Sequence, residues 1–187
     1  MKNKFTILGC GSSLGSPWIT NNWGNCNKKN KKNIRTRCCA HFQYANISVL
    51  IDTSPDLKIQ FKQNNLTNVD AVLYTHEHAD QTSGIFELRP FFWKNKKKID
   101  VYGSKKTINQ LRNKYDFCFV PKQGYMPIAN EHIIKNSFFL KKGNSKIKPT
   151  TPPGAGLSAG PGRRSRAQTG GVVGLRRIAM PRVFKSV

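Results

Sequence analysis

Apolar residues fall in short runs separated by polar, turn-forming stretches. Phe5 to Gly9 reads as a short buried strand that enters the glycine-rich stretch Gly9–Gly15. Trp23 to Arg37 is polar and basic, the pattern of a long surface loop. Ala40–Tyr44 and Ile47–Asp52 are apolar or alternating, and the break at Ala45-Asn46 predicts a hairpin. Ser54-Pro55-Asp56 predicts a helix start with Ser54 as N-cap, and Leu57, Ile59 and Phe61 continue it. Val69–Tyr74 reads as a second buried strand, followed by a helix carrying Ile85, Leu88 and Phe91. Ile99–Tyr102 predicts a strand, Ser104 caps a helix running to Lys114, and Ile133–Leu140 predicts a further strand. Strands and helices alternate, which predicts an α/β layered domain.

Two stretches carry candidate chemistry. Gly9-Cys10-Gly11-Ser12-Ser13-Leu14-Gly15 misses the dinucleotide-binding spacing by one position, and Pro17-Trp18 follows where a helix should begin. It is read instead as a loop whose free backbone N–H groups could face an anion. The second stretch, His76-Glu77-His78-Ala79-Asp80, follows directly on an apolar strand. Two imidazoles and a carboxylate at alternate positions can converge on one ion where the chain turns out of a sheet. Neutral imidazole and carboxylate suit zinc, manganese or iron. The plainer alternative is a pair of loop histidines with Asp80 capping a helix.

Thr75-His76-Glu77-His78-Ala79-Asp80 resembles the H-x-H-x-D-H signature of the metallo-β-lactamase-fold hydrolases. Ile7–Ser13, Leu50–Asp56, Gly84 and Leu88-Arg89 are similar to the phosphoribosyl 1,2-cyclic phosphate phosphodiesterase branch, which itself resembles the tRNA 3′-processing nuclease tRNase Z. The resemblance covers about residues 4–145 and implies the N-terminal part of an αββα sandwich. It implies a metal-dependent hydrolase acting on a small phosphodiester, with one or two Zn or Mn ions. Within it His76 and His78 would hold the first ion. Asp80 would hold the second and serve as the catalytic carboxylate, and Asp52 would orient the metal loop from behind. Gln81 stands where the family has a further histidine, and an amide oxygen is a poorer zinc ligand. The family's later ligands have no counterpart: besides the motif pair the chain has only His41 and His132, and no acidic residue follows Glu131. The alternatives are a tRNA 3′-processing type of nuclease, with RNA as partner, and a basic nucleic-acid-binding module without catalysis.

Composition changes the picture in one place. Residues 1–148 hold every Asn, all nine acidic residues and most of the Lys, whereas residues 149–187 are rich in Gly, Pro and Arg. The first set uses A/T-rich codons and the second G/C-rich ones. The chain therefore divides into an incomplete metallo-β-lactamase-like domain, 1–148, and a tail, 149–187, expected to be out of frame or disordered. The formal charge of +23 favours anionic partners, although base composition accounts for part of it. No apolar run is long enough to cross a membrane. The apolar stretch before Cys10 is too short for a signal core, and five irregularly spaced cysteines suit a reducing cytoplasm rather than a disulfide framework. Cys26, Cys38 and Cys39 lack the paired spacing of a structural zinc site. Limited trypsin digestion is expected to cut first at Arg163, Arg164 or Arg166. Protection of those sites while body lysines are cleaved would refute the division at 149.

Overall fold

Six of the strands lie side by side in chain order, because every connection between them returns the chain to the adjacent position. They are β1 (Lys4–Gly9), β2 (Cys39–Tyr44), β3 (Ile47–Ile51), β4 (Ala71–Leu73), β5 (Ile99–Gly103) and β6 (Ala129–Ile133). The computed structural model describes residues 3–122, 124–135, 138–149 and 184–185. Strands β1 to β3 pair antiparallel, and β3 to β6 pair parallel through helical crossovers.

Alternation along the strands sorts the core into two layers. Leu50, Val72 and Val101 stand in register across β3, β4 and β5 and share one cluster. Leu57 and Phe61 of α1 (Leu57–Gln63) and Ile108 and Leu111 of α4 (Lys105–Lys114) belong to the same cluster. Val49 and Ala71, one position earlier, belong to the opposite layer with Phe42. Leu140 and Ile147, from β7 (Leu140–Lys142) and β8 (Ser145–Pro149), cover them. The pair Phe184–Lys185, β9, lies antiparallel to β8. Helices therefore pack on one face of the main sheet and a small second sheet on the other, a mixed α/β layered architecture. The rest of the expected tail lies outside the described residues.

Several elements differ from the sequence pattern, each for a tertiary reason. Strand β1 forms, but Phe5 and Ile7 are 43% and 61% exposed, because β1 is an edge strand. Helix α1 begins at Leu57, not at Ser54, and Asp56 makes no cap bond. Its carboxylate is drawn away to Arg37, while Ser54 Oγ takes the Asp56 N–H at 3.1 Å. His132 lies within β6, which ends at Ile133, rather than ahead of a strand. It stacks on Tyr102 and sits 3.0 Å from Asp100. Ser104 does cap α4, its hydroxyl accepting the Thr107 N–H at 3.1 Å.

The single helix expected after the motif is instead three pieces: α2 (Ala79–Thr82), a 3-10 segment Ser83–Leu88, and α3 (Arg89–Asn95). Gly84 is where the path changes. Its N–H donates to the Thr53 carbonyl at 2.9 Å, and a Cβ there would overlap the Ser54 carbonyl oxygen. Gly84→Ala is accordingly expected to destabilise the protein by about 1–3 kcal/mol, although glycine-to-alanine in an open helix usually stabilises. Urea denaturation measures this, and a variant as stable as the parent would show that the contact yields freely.

Candidate metal centre

The motif loop begins where β4 runs out. Tyr74 is still in the sheet, its N–H donating to the Tyr102 carbonyl at 2.7 Å, and its ring is fully buried. The next residue is caught by Asp52 at the end of β3. The Asp52 carboxylate accepts the Thr75 N–H at 2.8 Å and the Thr75 hydroxyl at 2.7 Å. Asp52 has φ 62°, a left-handed conformation that aspartate tolerates better than most residues. Burial pushes its carboxyl up to about 7, against the pull of the two Thr75 hydrogen bonds.

The two motif histidines come together beyond Thr75. Their rings meet edge to face with centroids 4.6 Å apart. His76 Nδ1 lies 2.9 Å from the Thr75 hydroxyl oxygen. Burial, and then the neighbouring His78, lower the His76 pKa, which favours the neutral imidazole that a metal requires. His78, not Asp80, is the N-cap residue of α2, and its carbonyl accepts from the Gln81 N–H and the Thr82 hydroxyl. Glu77 pairs with Lys106, and its carbonyl accepts from Lys114 Nζ at 3.0 Å, so α4 holds the loop from outside.

Asp80 lies in the first turn of α2 and accepts the Gln81 side-chain N–H at 2.9 Å. That bond assigns the amide: Nε2 faces the carboxylate, and Oε1 is left buried without a partner. Among the described residues no three His, Cys, Asp or Glu side chains converge to enclose an ion. The arrangement is two imidazoles in edge-to-face contact, with Asp80 close enough for its charge to reach His76 and an orphaned amide oxygen on the residue that follows Asp80. Its charge also fits a cation. Among the described residues six of the nine acidic side chains are ion-paired, whereas Asp52, Asp80 and Glu87 have no basic partner within salt-bridge distance, and the first two of these flank the motif loop. His76 and His78, with Asp80 alongside, would hold a divalent ion with positions left open.

Three supports of this site were not singled out as functional from the sequence, although Thr53 and Thr75 lie within stretches that carry the family resemblance. Thr53 donates its N–H to the Gln81 carbonyl at 2.7 Å, and its hydroxyl lies 2.9 Å from Tyr74 Oη, so it clamps both ends of the motif loop. Thr75 couples Asp52 to His76. Arg37 makes a bidentate pair with Asp56 at 2.9 and 2.5 Å, and feels Asp80 as well. A Ser, Thr or Arg beside a turn is too common a pattern to have marked these roles. The glycine loop corrects an expectation: the Gly11 and Gly15 N–H groups bond to the Thr36 and Ser12 carbonyls, so those two donors are not free for an anion.

A family model described as a β-lactamase superfamily domain matches residues 48–180, and the chain belongs to that family. The matched stretch runs past the change in composition at residue 149. Among solved structures, one described as a new diphosphatase from the PhnP family is 25% identical, with a TM-score of 0.65 over 79% of this chain and 56% of that one. Zn²⁺-bound PqqB from Methylobacterium extorquens is 16% identical, with a TM-score of 0.59 over 81% of this chain and 56% of that one. The short form of human tRNase Z is 15% identical, with a TM-score of 0.51 over 80% of this chain and 60% of that one. These likenesses establish the metallo-β-lactamase fold, whose members are hydrolases that bind divalent metals such as zinc. A curated relative, an octanoyltransferase of Porphyromonas gingivalis, is 31% identical over 114 residues, which is 60% of this chain but 23% of that protein. The chain thus spans little more than half of the solved relatives and about a quarter of the curated one.

The Arg37–Asp56 pair gives the site's framework a pH dependence. The Arg37 hydrogen bond holds the Asp56 carboxyl below its ordinary value. A depressed carboxylate stabilises the fold fully above its unfolded pKa, near 4, and loses that contribution as pH falls through the lowered folded value. Asp56→Asn is therefore expected to cost stability at pH 6 and much less at pH 3. A stability gap unchanged between the two pH values in urea titrations would show that the pair contributes nothing.

Proposed function

We propose that this fold serves a metal-dependent phosphodiester hydrolase with a small, compact substrate such as a ribose cyclic phosphate. The observation that carries the reading is the facing His76–His78 pair at the end of β4, within a fold shared at 25% identity with a PhnP-family diphosphatase. Bound Zn²⁺ or Mn²⁺ would supply Lewis acidity toward a phosphoryl oxygen and a more acidic water. The chain's own residues do the rest. His76 and His78 offer nitrogen ligands, Thr75 and Asp52 hold the first ring, and Gln81 orients Asp80. The Asp80 carboxylate orients the attacking water and assists with a second ion, while the Gln81 amide oxygen is the weakest ligand candidate. The chain's overall excess of basic residues raises the local concentration of an anionic substrate. Five free cysteines suit a reducing compartment, and we place the protein in the cytoplasm on that basis.

The purified chain should bind no more than one Zn²⁺ or Mn²⁺, weakly, and His76→Ala with His78→Ala should abolish that binding. Any turnover should favour a bis-aryl phosphodiester or a ribose cyclic phosphate over a β-lactam or a thioester, and Asp80→Ala should remove it. The thioester comparison addresses the acyl chemistry named for the octanoyltransferase relative. Thioester preference, metal binding that survives the double variant, or RNA binding with steep salt dependence and no metal requirement would each overturn the proposal.

A further inference from the structure

The Thr75 hydroxyl sits between two acceptor-capable groups with one proton to give. Its oxygen is 2.7 Å from Asp52 Oδ2 and 2.9 Å from His76 Nδ1. Above the value of about 7 to which burial pushes it, the Asp52 carboxyl is ionised and only accepts, and its other oxygen is already taken by the Thr75 N–H. The hydroxyl proton therefore goes to Asp52, and the hydroxyl oxygen must accept at its second contact. The proton for that contact can come only from His76 Nδ1. A neutral imidazole protonated at Nδ1 carries its lone pair on Nε2.

We propose that Thr75 is a positioning residue that fixes His76 as the Nδ1–H tautomer and so aims Nε2 at a divalent cation. This rests on the metal-centre reading above. Sheet hydrogen bonds secure both sides of the relay: Asp52 N–H to the Leu73 carbonyl at 2.9 Å, and Tyr74 N–H to the Tyr102 carbonyl at 2.7 Å. His78 is arranged differently. Its carbonyl is engaged by α2, but its ring makes no hydrogen bond among the described residues. The histidine pair is thus asymmetric, with His76 set in advance and His78 free to adjust.

Long-range ¹⁵N–¹H correlation spectra of the full chain, metal-free at pH 8.5, read the tautomer directly, with His76 identified by comparison with His76→Gln. The expected result is Nδ1–H in the parent and in Thr75→Ser, which keeps the hydroxyl. Thr75→Val, of similar shape without a donor or acceptor, should lose that preference and bind Co²⁺ about tenfold more weakly, while Thr75→Ser binds like the parent. Asp52→Asn gives a second route, because an amide facing Thr75 donates to the hydroxyl and frees its proton for Nδ1, shifting His76 toward Nε2–H. An Nε2–H ring in the parent, or an unchanged tautomer in both Thr75→Val and Asp52→Asn, overturns the relay. A parent chain that binds no Co²⁺ overturns the metal-centre reading instead, and the ring proton still decides the relay.

Discussion

A buried carboxylate at the end of β3 organises the functional edge of this protein. Asp52 is 6% exposed, and a charge so placed would be costly if its oxygens lacked donors. Both are supplied by Thr75, which ties the end of β3 to the start of the motif loop. The left-handed backbone at Asp52 turns the chain so that Thr53 and Ser54 run against Gln81 to Gly84. From that knot follow the closeness demanded of Gly84, the break between α2 and the 3-10 segment, and the placement of His76. Removing the carboxylate would leave the Thr75 N–H without its acceptor as well as loosening a ring, so structure and chemistry are coupled at one residue.

The distribution of charge points to the same place. Basic residues outnumber acidic ones more than threefold, and most acids are neutralised locally: Asp70 by Lys142, Glu77 by Lys106, Asp100 by Lys97, Glu131 by Arg112. Exposed pairs of this kind contribute little stability singly. Their effect here is negative selection, since they leave Asp52 and Asp80 as the acids of the motif edge with no basic partner among the described residues. A free lysine or arginine there would compete with a metal ion and with an anionic substrate's counter-charge. Arg37, the cation that feels Asp80, is committed to Asp56.

Much of this was legible in the sequence, and the exceptions share a cause. The β2–β3 hairpin, α4 with its Ser104 cap, and the motif loop after β4 follow from local apolar runs and turn residues. What local pattern could not convey was which neighbours arrive from far along the chain. Asp56 looks like a first-turn helix residue until Arg37, nineteen positions away, claims it. Ile85, Leu88 and Phe91 fit a single helical stripe, yet Ser54 and Thr53 approach Gly84 and divide it. Phe5 and Ile7 have the hydrophobicity of a central strand, but pairing order alone makes theirs an edge. The motif histidines were visible as a spacing, whereas Thr53 and Thr75, which give them their geometry, were hidden in the most ordinary of residue types.

The two ends of the motif also differ in how completely the protein has prepared them. On the His76 side the ring is tied through Nδ1 to Thr75, and Thr75 and Asp52 lead back into the sheet. On the Gln81 side the amide spends its N–H on Asp80 and buries an oxygen with no donor. Leaving such an atom unpartnered costs about 1–3 kcal/mol, a cost that persists only where something else can meet it or where the site demands it. A histidine at that position would present a nitrogen ligand; glutamine instead orients Asp80 and offers a neutral oxygen of low affinity for zinc. The preparation is therefore unequal: the His76 ring is set by contacts that lead back into the sheet, whereas the Gln81 end keeps a buried oxygen that nothing among the described residues satisfies.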